Sequence, residues 1–185
     1  GHVRAHQYSS NDDDWTQLGS DIDGEAAGDE SGTSVSLSND GTILAIGAPK
    51  NDGNKGHVRV YQYSNNSWTQ LGSDIDGEAA NDESGFSVSL SNDGTKLAIG
   101  APKNAAGKVK IYSLQSTEIS PASTTTSYSN SIDFITSDLN EPSGIVKRSD
   151  GKFFVSNKGD DTIILFDENG DNGIIYGGHK GNQGD

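Results

Sequence analysis

The sequence predicts an all-β protein made of repeated four-stranded antiparallel sheets, and three observations support this prediction. Apolar residues make up 30% of the 185-residue chain, and they fall in short alternating clusters between turn residues. Glycine occurs 24 times, with abundant Ser, Asn and Asp, which is typical of short strands joined by tight turns. In addition, one long segment occurs twice in almost identical form, so the fold is expected to be repetitive.

The repeat dominates residues 1–113. Residues 15–50 and 68–103 align without gaps and differ at three of 36 positions, namely Gly28/Asn81, Thr33/Phe86 and Ile43/Lys96. A related segment follows each copy, GHVRVYQYS from Gly56 and GKVKIYSL from Gly107, and a third version, GHVRAHQYS, opens the chain at Gly1.

Each unit divides into four short strands. In SVSLS, Val35 and Leu37 share one face, and the Asn39-Asp40-Gly41 segment that follows is a strong hairpin signal. The next strand is TILAIGAP, where we expect the face that carries Ile43 to meet solvent, because Lys96 replaces Ile43 in the second copy. HVRVYQY and WTQLGSDI complete the unit, and an acidic loop leads to the next one.

Four antiparallel strands in about 50 residues are typical of a β-propeller blade. The sequence holds half a blade in 1–20, a full blade in 33–73 and most of a third in 86–114. A closed propeller needs about 4 to 8 blades. We therefore predict β-propeller blades in an incomplete, open arc, a fragment whose further partners are the remaining blades of a parent chain.

The repeated run also resembles a known family. GDESGTSVSLSNDGTILAIGAP and its second copy resemble FG-GAP repeats, the blades of integrin-α-like propellers. The family's Gly-Ala-Pro segment is matched by residues 47–49 and 100–102, and the glycine of its Phe-Gly segment is matched by Gly32 and Gly85. At the Phe position of the family, this chain has Ser31 and Ser84. The resemblance covers residues 1–113 and implies a propeller that binds other molecules.

The C-terminal part reads differently. Residues 114–130 are rich in Ser and Thr and predict a linker. Strand-like alternation returns in 131–185, where we predict one truncated blade. Within it, residues 139–178 resemble an NHL repeat, another propeller blade, through Pro142, Gly144-Ile145, Asp150-Gly151, Val155-Ser156-Asn157, Ile163 and Phe166-Asp167.

The composition excludes several kinds of site. The chain carries 27 acidic and 13 basic residues, a net charge of −14, which argues against nucleic-acid binding because that requires a basic face. There is no Cys, so disulfides, thiolate metal sites and a Cys nucleophile are excluded. No apolar run approaches the ~18 residues of a membrane span.

The repeated acidic loop is the best candidate site. Its acids alternate along the chain as calcium ligands do, and FG-GAP propellers carry such loops. The alternative is a solvated acidic turn. The predicted calcium ligands are Asp21, Asp23, Glu25 and Asp29 in the first copy, and Asp74, Asp76, Glu78 and Asp82 in the second. A shorter series, Asp167, Asn169 and Asp171, is interpreted as a structural turn.

Other chemistry is weakly represented. No spacing of the four histidines with each other or with carboxylates indicates zinc, and His2 and His57, as repeat equivalents, are expected on strands. There is no Gly-x-Ser-x-Gly elbow for a nucleophile. Trp15 and Trp68 are expected to pack within blades. We predict no catalytic residues and no cofactor apart from calcium.

The functional hypothesis is a non-catalytic binding or adhesion module of a secreted or cell-surface protein, with a protein or glycan ligand. Two alternatives stay open. The chain could belong to an NHL-type propeller enzyme of the lactonase or lyase kind, or it could be a purely structural repeat array. Calcium binding favours the first hypothesis, lactone turnover favours the second, and the absence of both favours the third.

Overall fold

The computed structural model describes residues 1–104, 107–118, 124–133, 139, 141–148, 150–167 and 172–177. Their strands form four antiparallel sheets, numbered here 1 to 4 in chain order, and the all-β prediction is confirmed. Sheet 1 pairs β1 (His2–Ser9) with β2 (Asp14–Asp23).

Sheets 2 to 4 are each larger than sheet 1. Sheet 2 has the order β3 (Ser34–Leu37), β4 (Ile43–Ala48), β5 (His57–Ser64), β6 (Ser67–Gln70), with β7 (Ile75–Asp76) also paired to β5. Sheet 3 contains β8 (Ser87–Leu90), β9 (Lys96–Ala101), β10 (Lys108–Glu118), β11 (Thr124–Asp133). Sheet 4 contains β12 (Pro142–Lys147), β13 (Phe153–Asn157), β14 (Thr162–Phe166), β15 (Asn172–Gly177).

Helical structure in the described residues is confined to single turns at Asn51–Asn54 and Lys158–Asp160. No helix in this part of the chain is long and apolar enough to cross a membrane.

The predicted Asn-Asp-Gly hairpin turns are present in both copies. The Asp40 carboxylate accepts hydrogen bonds from the Thr42 backbone N–H at 3.0 Å and from the Ser38 hydroxyl at 2.6 Å. Gly41 follows with a φ of 71°, a left-handed conformation that glycine adopts without strain. Asp93 repeats these bonds with Ser91 and Thr95 in the second copy. The turns join β3 to β4 and β8 to β9.

The sheets pack face to face in chain order, and each junction has its own apolar core. The core residues between sheets 1 and 2 are Ile22, Leu44, Ile46 and Tyr61. Those between sheets 2 and 3 include Ala45, Val58, Val60, Val88, Leu97 and Ile99. Those between sheets 3 and 4 include Val109, Ile111, Ile145, Phe153, Val155 and Phe166. Alternate residues of β4 therefore face opposite neighbours, so this strand is apolar throughout.

The expectation that the Ile43 face meets solvent is wrong. Ile43 is buried in the core between sheets 2 and 3, and it lies beside Gly94 of the next hairpin. Its repeat equivalent, Lys96, is half-buried. A lysine can place its aliphatic stem along such a surface and keep its ammonium group in water, so the substitution does not indicate an exposed face.

Two glycines of the repeat allow the backbones of sheets 2 and 3 to approach closely. Gly85 has a φ of 84°, and a side chain on Gly47 would collide with the Gly85 carbonyl oxygen. The Ser34 hydroxyl donates a hydrogen bond of 2.7 Å to the same oxygen. Both glycines are thus required, because the backbones of the two sheets touch here. Gly85 lies just before β8 in sheet 3, and Gly47 belongs to the Gly-Ala-Pro segment in sheet 2.

Strands occupy much of the segment that the sequence assigns to a linker, residues 114–130. β10 continues to Glu118, and β11 begins at Thr124 and pairs with β10 along its length. β11 is an outer strand of sheet 3, and β-branched Thr favours extended structure even where apolar residues are few. Sheet 3 thereby gains its fourth strand. The strands of sheet 4 lie within residues 131–185, where the sequence predicts a truncated NHL-like blade.

Candidate functional site

The two acidic loops lie at the same end of the stacked sheets. The first, residues 24–33, joins β2 to β3, and the second, residues 77–86, joins β7 to β8. Both contact the turn between β4 and β5, because the Lys50 N–H donates to the Asp29 carbonyl at 3.2 Å and the Glu83 N–H donates to the Asn54 carbonyl at 2.9 Å. We call this end, formed by residues 24–33, 49–56 and 77–86, the loop face.

One aspartate fixes the shape of each acidic loop. The buried Asp29 carboxylate accepts hydrogen bonds from the Ala26 N–H at 2.8 Å and the Asn51 side-chain amide at 3.2 Å. The buried Asp82 carboxylate accepts the same bonds from the Ala79 N–H at 2.9 Å and from Asn104 at 2.8 Å. These two predicted calcium ligands therefore serve as structural acceptors within the loops.

Cross-loop ion pairs are also repeated. Lys50 lies 2.6 Å from Glu30, and Lys103 lies 2.8 Å from Glu83. Gly28 has a φ of 98° and its equivalent Asn81 has a φ of 68°. Asn is one of the few residues that adopt this left-handed region readily, so the exchange of Gly28 for Asn81 preserves the loop.

Asp21 is bound by an arginine of the neighbouring strand. The Arg4 guanidinium donates to both Asp21 carboxylate oxygens at 2.7 to 2.9 Å, and the Gln17 amide adds a bond of 2.9 Å. The hydrogen bonds from Arg4 and then Gln17 lower the pKa of Asp21 to about 2. Its repeat equivalent, Asp74, receives the matching bond from Gln70 at 2.8 Å.

Asp74 belongs to a different group of side chains, between sheets 1 and 2. His57 opens β5, and its Nδ1 lies 3.8 Å from a carboxylate oxygen of Asp74 and 3.8 Å from one of Glu25. The ligand atoms of Glu25, His57 and Asp74 all lie within 4.8 Å of one another. Among the described residues this is the one group of three or more metal-ligating side chains at such distances.

Lysines occupy the corresponding place between sheets 2 and 3. Glu78, the repeat equivalent of Glu25, lies 2.6 Å from Lys108 and 2.6 Å from Lys110. Hydrogen bonds from Lys108 and Lys110 lower the pKa of Glu78 to about 2. Asp76 lies 3.9 Å from Lys55, and the backbone carbonyl of its equivalent, Asp23, accepts a hydrogen bond of 2.6 Å from Arg59.

The predicted calcium ligands are therefore distributed over several environments. The structure brings together one carboxylate from each predicted set, Glu25 and Asp74, and adds His57. Calcium binding by either complete loop stays a prediction. Asn169, Asp171 and His179 lie outside the described residues.

Sequence reasoning missed His57. The sequence predicts that His57 lies on a strand, and the structure confirms this. However, His57 is not close to Glu25 or Asp74 along the chain, so the spacing of residues does not identify it as a metal ligand. The three residues of the group come from separate loops and a strand, so only the stacking of two sheets brings them together. The repeat itself could have identified His57 as a residue that faces the acids. His57 and Lys108 occupy the same repeat position, and they face the equivalent acids Glu25 and Glu78.

Residues 21–61 match the FG-GAP repeat family. The matched segment runs from Asp21 through the first acidic loop, β3 and β4 to Tyr61 in β5. Comparison with curated protein sequences finds no significant match.

Most of the chain is similar in structure to larger propeller-like proteins. A gluconolactonase from Xanthomonas campestris aligns over 94% of this chain and 54% of its own length, with a TM-score of 0.56 and 13% identity. Sqt1 from Chaetomium thermophilum aligns over 81% and 37%, with a TM-score of 0.52 and 13% identity. TolB from Acinetobacter baumannii aligns over 92% and 36%, with a TM-score of 0.52 and 11% identity.

These similarities establish the fold, in which several small antiparallel sheets are arranged as propeller blades. The chain spans about half the length of the gluconolactonase and just over a third of the two other proteins.

Proposed function

We propose that the chain is part of a non-catalytic binding module of a secreted or cell-surface protein, and that the loop face presents its ligand-binding surface. The observation that carries this proposal is the repetition of one rigid loop structure on one face. Asp29 and Asp82 hold the two acidic loops in matching conformations, and ion pairs tie both loops to their neighbours. A surface that is already ordered loses little conformational entropy on binding.

The charge of the chain favours a ligand with a basic surface. The net charge is −14, and a negative field attracts cationic partners and speeds their association. A protein ligand with exposed Lys and Arg therefore fits better than a neutral glycan. Exposed aromatic area at the second loop, where Phe86 is 37% exposed, adds apolar contact area of the kind that interfaces use.

The experiment is a binding screen of the purified 185-residue chain against a panel of basic peptides and a glycan array. A variant that combines Ala27→Arg and Ala80→Arg places large cationic side chains on exposed loop positions without touching the Asp29 or Asp82 bonds. Asn92→Arg, on the exposed hairpin at the opposite end of the sheets, is the matched control. We expect the double variant to lose binding and the control to keep it.

Three results would contradict the proposal. Equal binding by the double variant and the control would show that the ligand binds elsewhere than on the loop face. Turnover of gluconolactone by the purified chain would instead support the enzymatic alternative, which currently rests on similarity of fold to a gluconolactonase. Binding of neither panel, with no turnover, would favour a purely structural array.

A further inference from the structure

Three side chains with metal-ligand chemistry meet between sheets 1 and 2, and the loop-face function does not require them. Glu25 comes from the first acidic loop, His57 from the start of β5, and Asp74 from the segment between β6 and β7. The two carboxylates thus come from different repeats, and each lies 3.8 Å from the same imidazole nitrogen, Nδ1 of His57.

His57 is deeply buried and poorly satisfied. Its side chain is 2% exposed, and its Nε2 has no hydrogen-bond partner. The carboxylates that face Nδ1 are too distant for hydrogen bonds, which end near 3.2 Å. Nδ1 is therefore the ring nitrogen that an ion shared with the two carboxylates would bind, whereas Nε2 lies on the other edge of the ring and points away from them.

We propose that Glu25, His57 and Asp74 bind a zinc ion, or a divalent transition-metal ion of similar preference, between sheets 1 and 2. Zinc binds imidazole nitrogen and carboxylate oxygen at about 2.0–2.2 Å in tetrahedral geometry, which sets its ligand atoms roughly 3.4 Å apart. The two N–O distances are 3.8 Å and all three ligand atoms lie within 4.8 Å of one another, so the group must close modestly to reach this value. Glu25 and Asp74 remain partly exposed, so water can enter to complete the coordination.

The ligand set selects against calcium. Calcium takes about 6–8 oxygen ligands, whereas imidazole is a ligand typical of zinc, copper, nickel and iron. The proposed site thus differs from the calcium loops predicted from the sequence in both its metal and its residues. It uses one acid from each of the two predicted calcium-ligand sets, and it adds a strand residue that belongs to neither set.

The next junction provides an internal comparison. There Glu78 replaces Glu25, and two lysines at 2.6 Å supply the positive charge. Lys108 stands at the repeat position of His57, and Lys110 at that of Arg59. Arg59 donates to the backbone carbonyl of Asp23 instead of to Glu25. The acids between sheets 1 and 2 therefore lack the two lysine contacts, and a metal ion would supply the missing positive charge.

The test is a calorimetric titration of the 185-residue chain with zinc chloride at neutral pH after treatment with a chelator. We expect one zinc ion per chain, a zinc-dependent rise in melting temperature and no displacement by millimolar calcium. Glu25→Gln and Asp74→Asn should weaken binding by about 10- to 100-fold or more, because even indirect supports of metal ligands cost that much. His57→Lys should abolish binding while the chain stays folded, since lysine occupies this position in the next blade.

Two control variants separate this site from adventitious binding. His6→Ala removes an exposed strand histidine, and Glu78→Gln removes the equivalent acid of the next junction. Both should bind zinc as the parent chain does. The proposal is overturned if zinc does not bind saturably, if His57→Lys binds it with unchanged affinity, or if the His6→Ala change removes the binding.

Discussion

The first and second copies of the repeat are nearly the same sequence in two different surroundings. At the junction of sheets 1 and 2, Glu25 faces a buried histidine, and at the junction of sheets 2 and 3 its equivalent, Glu78, is held by two lysines. The loops are alike, but the strand that faces each loop differs. In these stacked sheets, the residues that face a repeated loop from the neighbouring strand therefore decide the chemistry of that loop.

Apolar residues show the same dependence on neighbours. Val88 and Leu90 of β8 are buried against sheet 2, whereas their equivalents in β3, Val35 and Leu37, are each 52% exposed. In the described structure sheet 1 has two strands, and the apolar core that it shares with sheet 2 includes Ile22, Val3 and Trp68 but no residue of β3. The same Ser-Val-Ser-Leu strand is therefore a core element in one sheet and a surface element in the other.

Truncation of these leucines should give the largest difference between the copies. Leu90→Ala is expected to lower the free energy of unfolding by about 2–5 kcal/mol, because it leaves a cavity in the core. Leu37→Ala should lower it by less than about 1 kcal/mol, because the side chain is already half exposed. Urea unfolding curves with equal slopes measure both values. Equal losses would show that another part of the protein covers β3.

The two tryptophans should differ by a smaller amount. Trp68 packs against the core between sheets 1 and 2, and its indole N–H donates a hydrogen bond of 2.9 Å to the Leu18 carbonyl. Trp15 is 63% exposed. Trp68→Ala should therefore cost about 2 kcal/mol, and Trp15→Ala less than about 1 kcal/mol, again by urea unfolding. A larger loss for Trp15 than for Trp68 would contradict the described stacking.

Replacement of Glu78, the acid at the junction of sheets 2 and 3, should have the smallest effect on the free energy of unfolding, and that effect should depend on pH. Glu78→Gln is expected to cost about 1 kcal/mol at neutral pH, because the Glu78 side chain is 45% exposed and water screens its pairs with lysine. Binding by Lys108 and Lys110 lowers the folded-state pKa of Glu78 from 4.5 to about 2. The stabilisation is therefore complete above pH 4.5 and is lost as the pH falls toward about 2.

Melting temperatures of Glu78→Gln and the parent chain between pH 7 and pH 2 measure this effect. The two curves should converge at the acidic end. Glu25→Gln in zinc-free buffer is the matched control at the other junction, where lysines do not hold the acid, and its loss should be smaller. A difference for Glu78→Gln that persists unchanged to pH 2 would exclude the lysine pairs as its cause.

Local features of the fold could be predicted from the sequence, because they depend on neighbouring residues. The Asn-Asp-Gly hairpins form as predicted, since Asp40 binds the backbone two residues on and Gly41 accepts a positive φ. The strand alternation was also sufficient to place His57 on a strand. Burial of Ile43 was not predictable, because it depends on how close the next hairpin lies.

The candidate metal site could not be predicted, for a related reason. The acids of one loop were expected to act together, yet Asp21 binds Arg4 of the neighbouring strand and Asp29 binds the backbone of its own loop. Those partners are set by pairing and stacking between sheets, which a spacing rule within one loop does not contain. Similarly, strand pairing overrides the polar composition that predicted a linker at 114–130.

The most direct test of the difference between the two junctions is an NMR titration of the chain with zinc, observing the His57 imidazole and the side chains of Glu25 and Glu78. We expect large changes at His57 and Glu25 that saturate at one zinc ion per chain, with Glu78 and its lysines unaffected. Equal responses at Glu25 and Glu78, or no response at His57, would contradict the claim that the facing strand decides what each repeated loop binds.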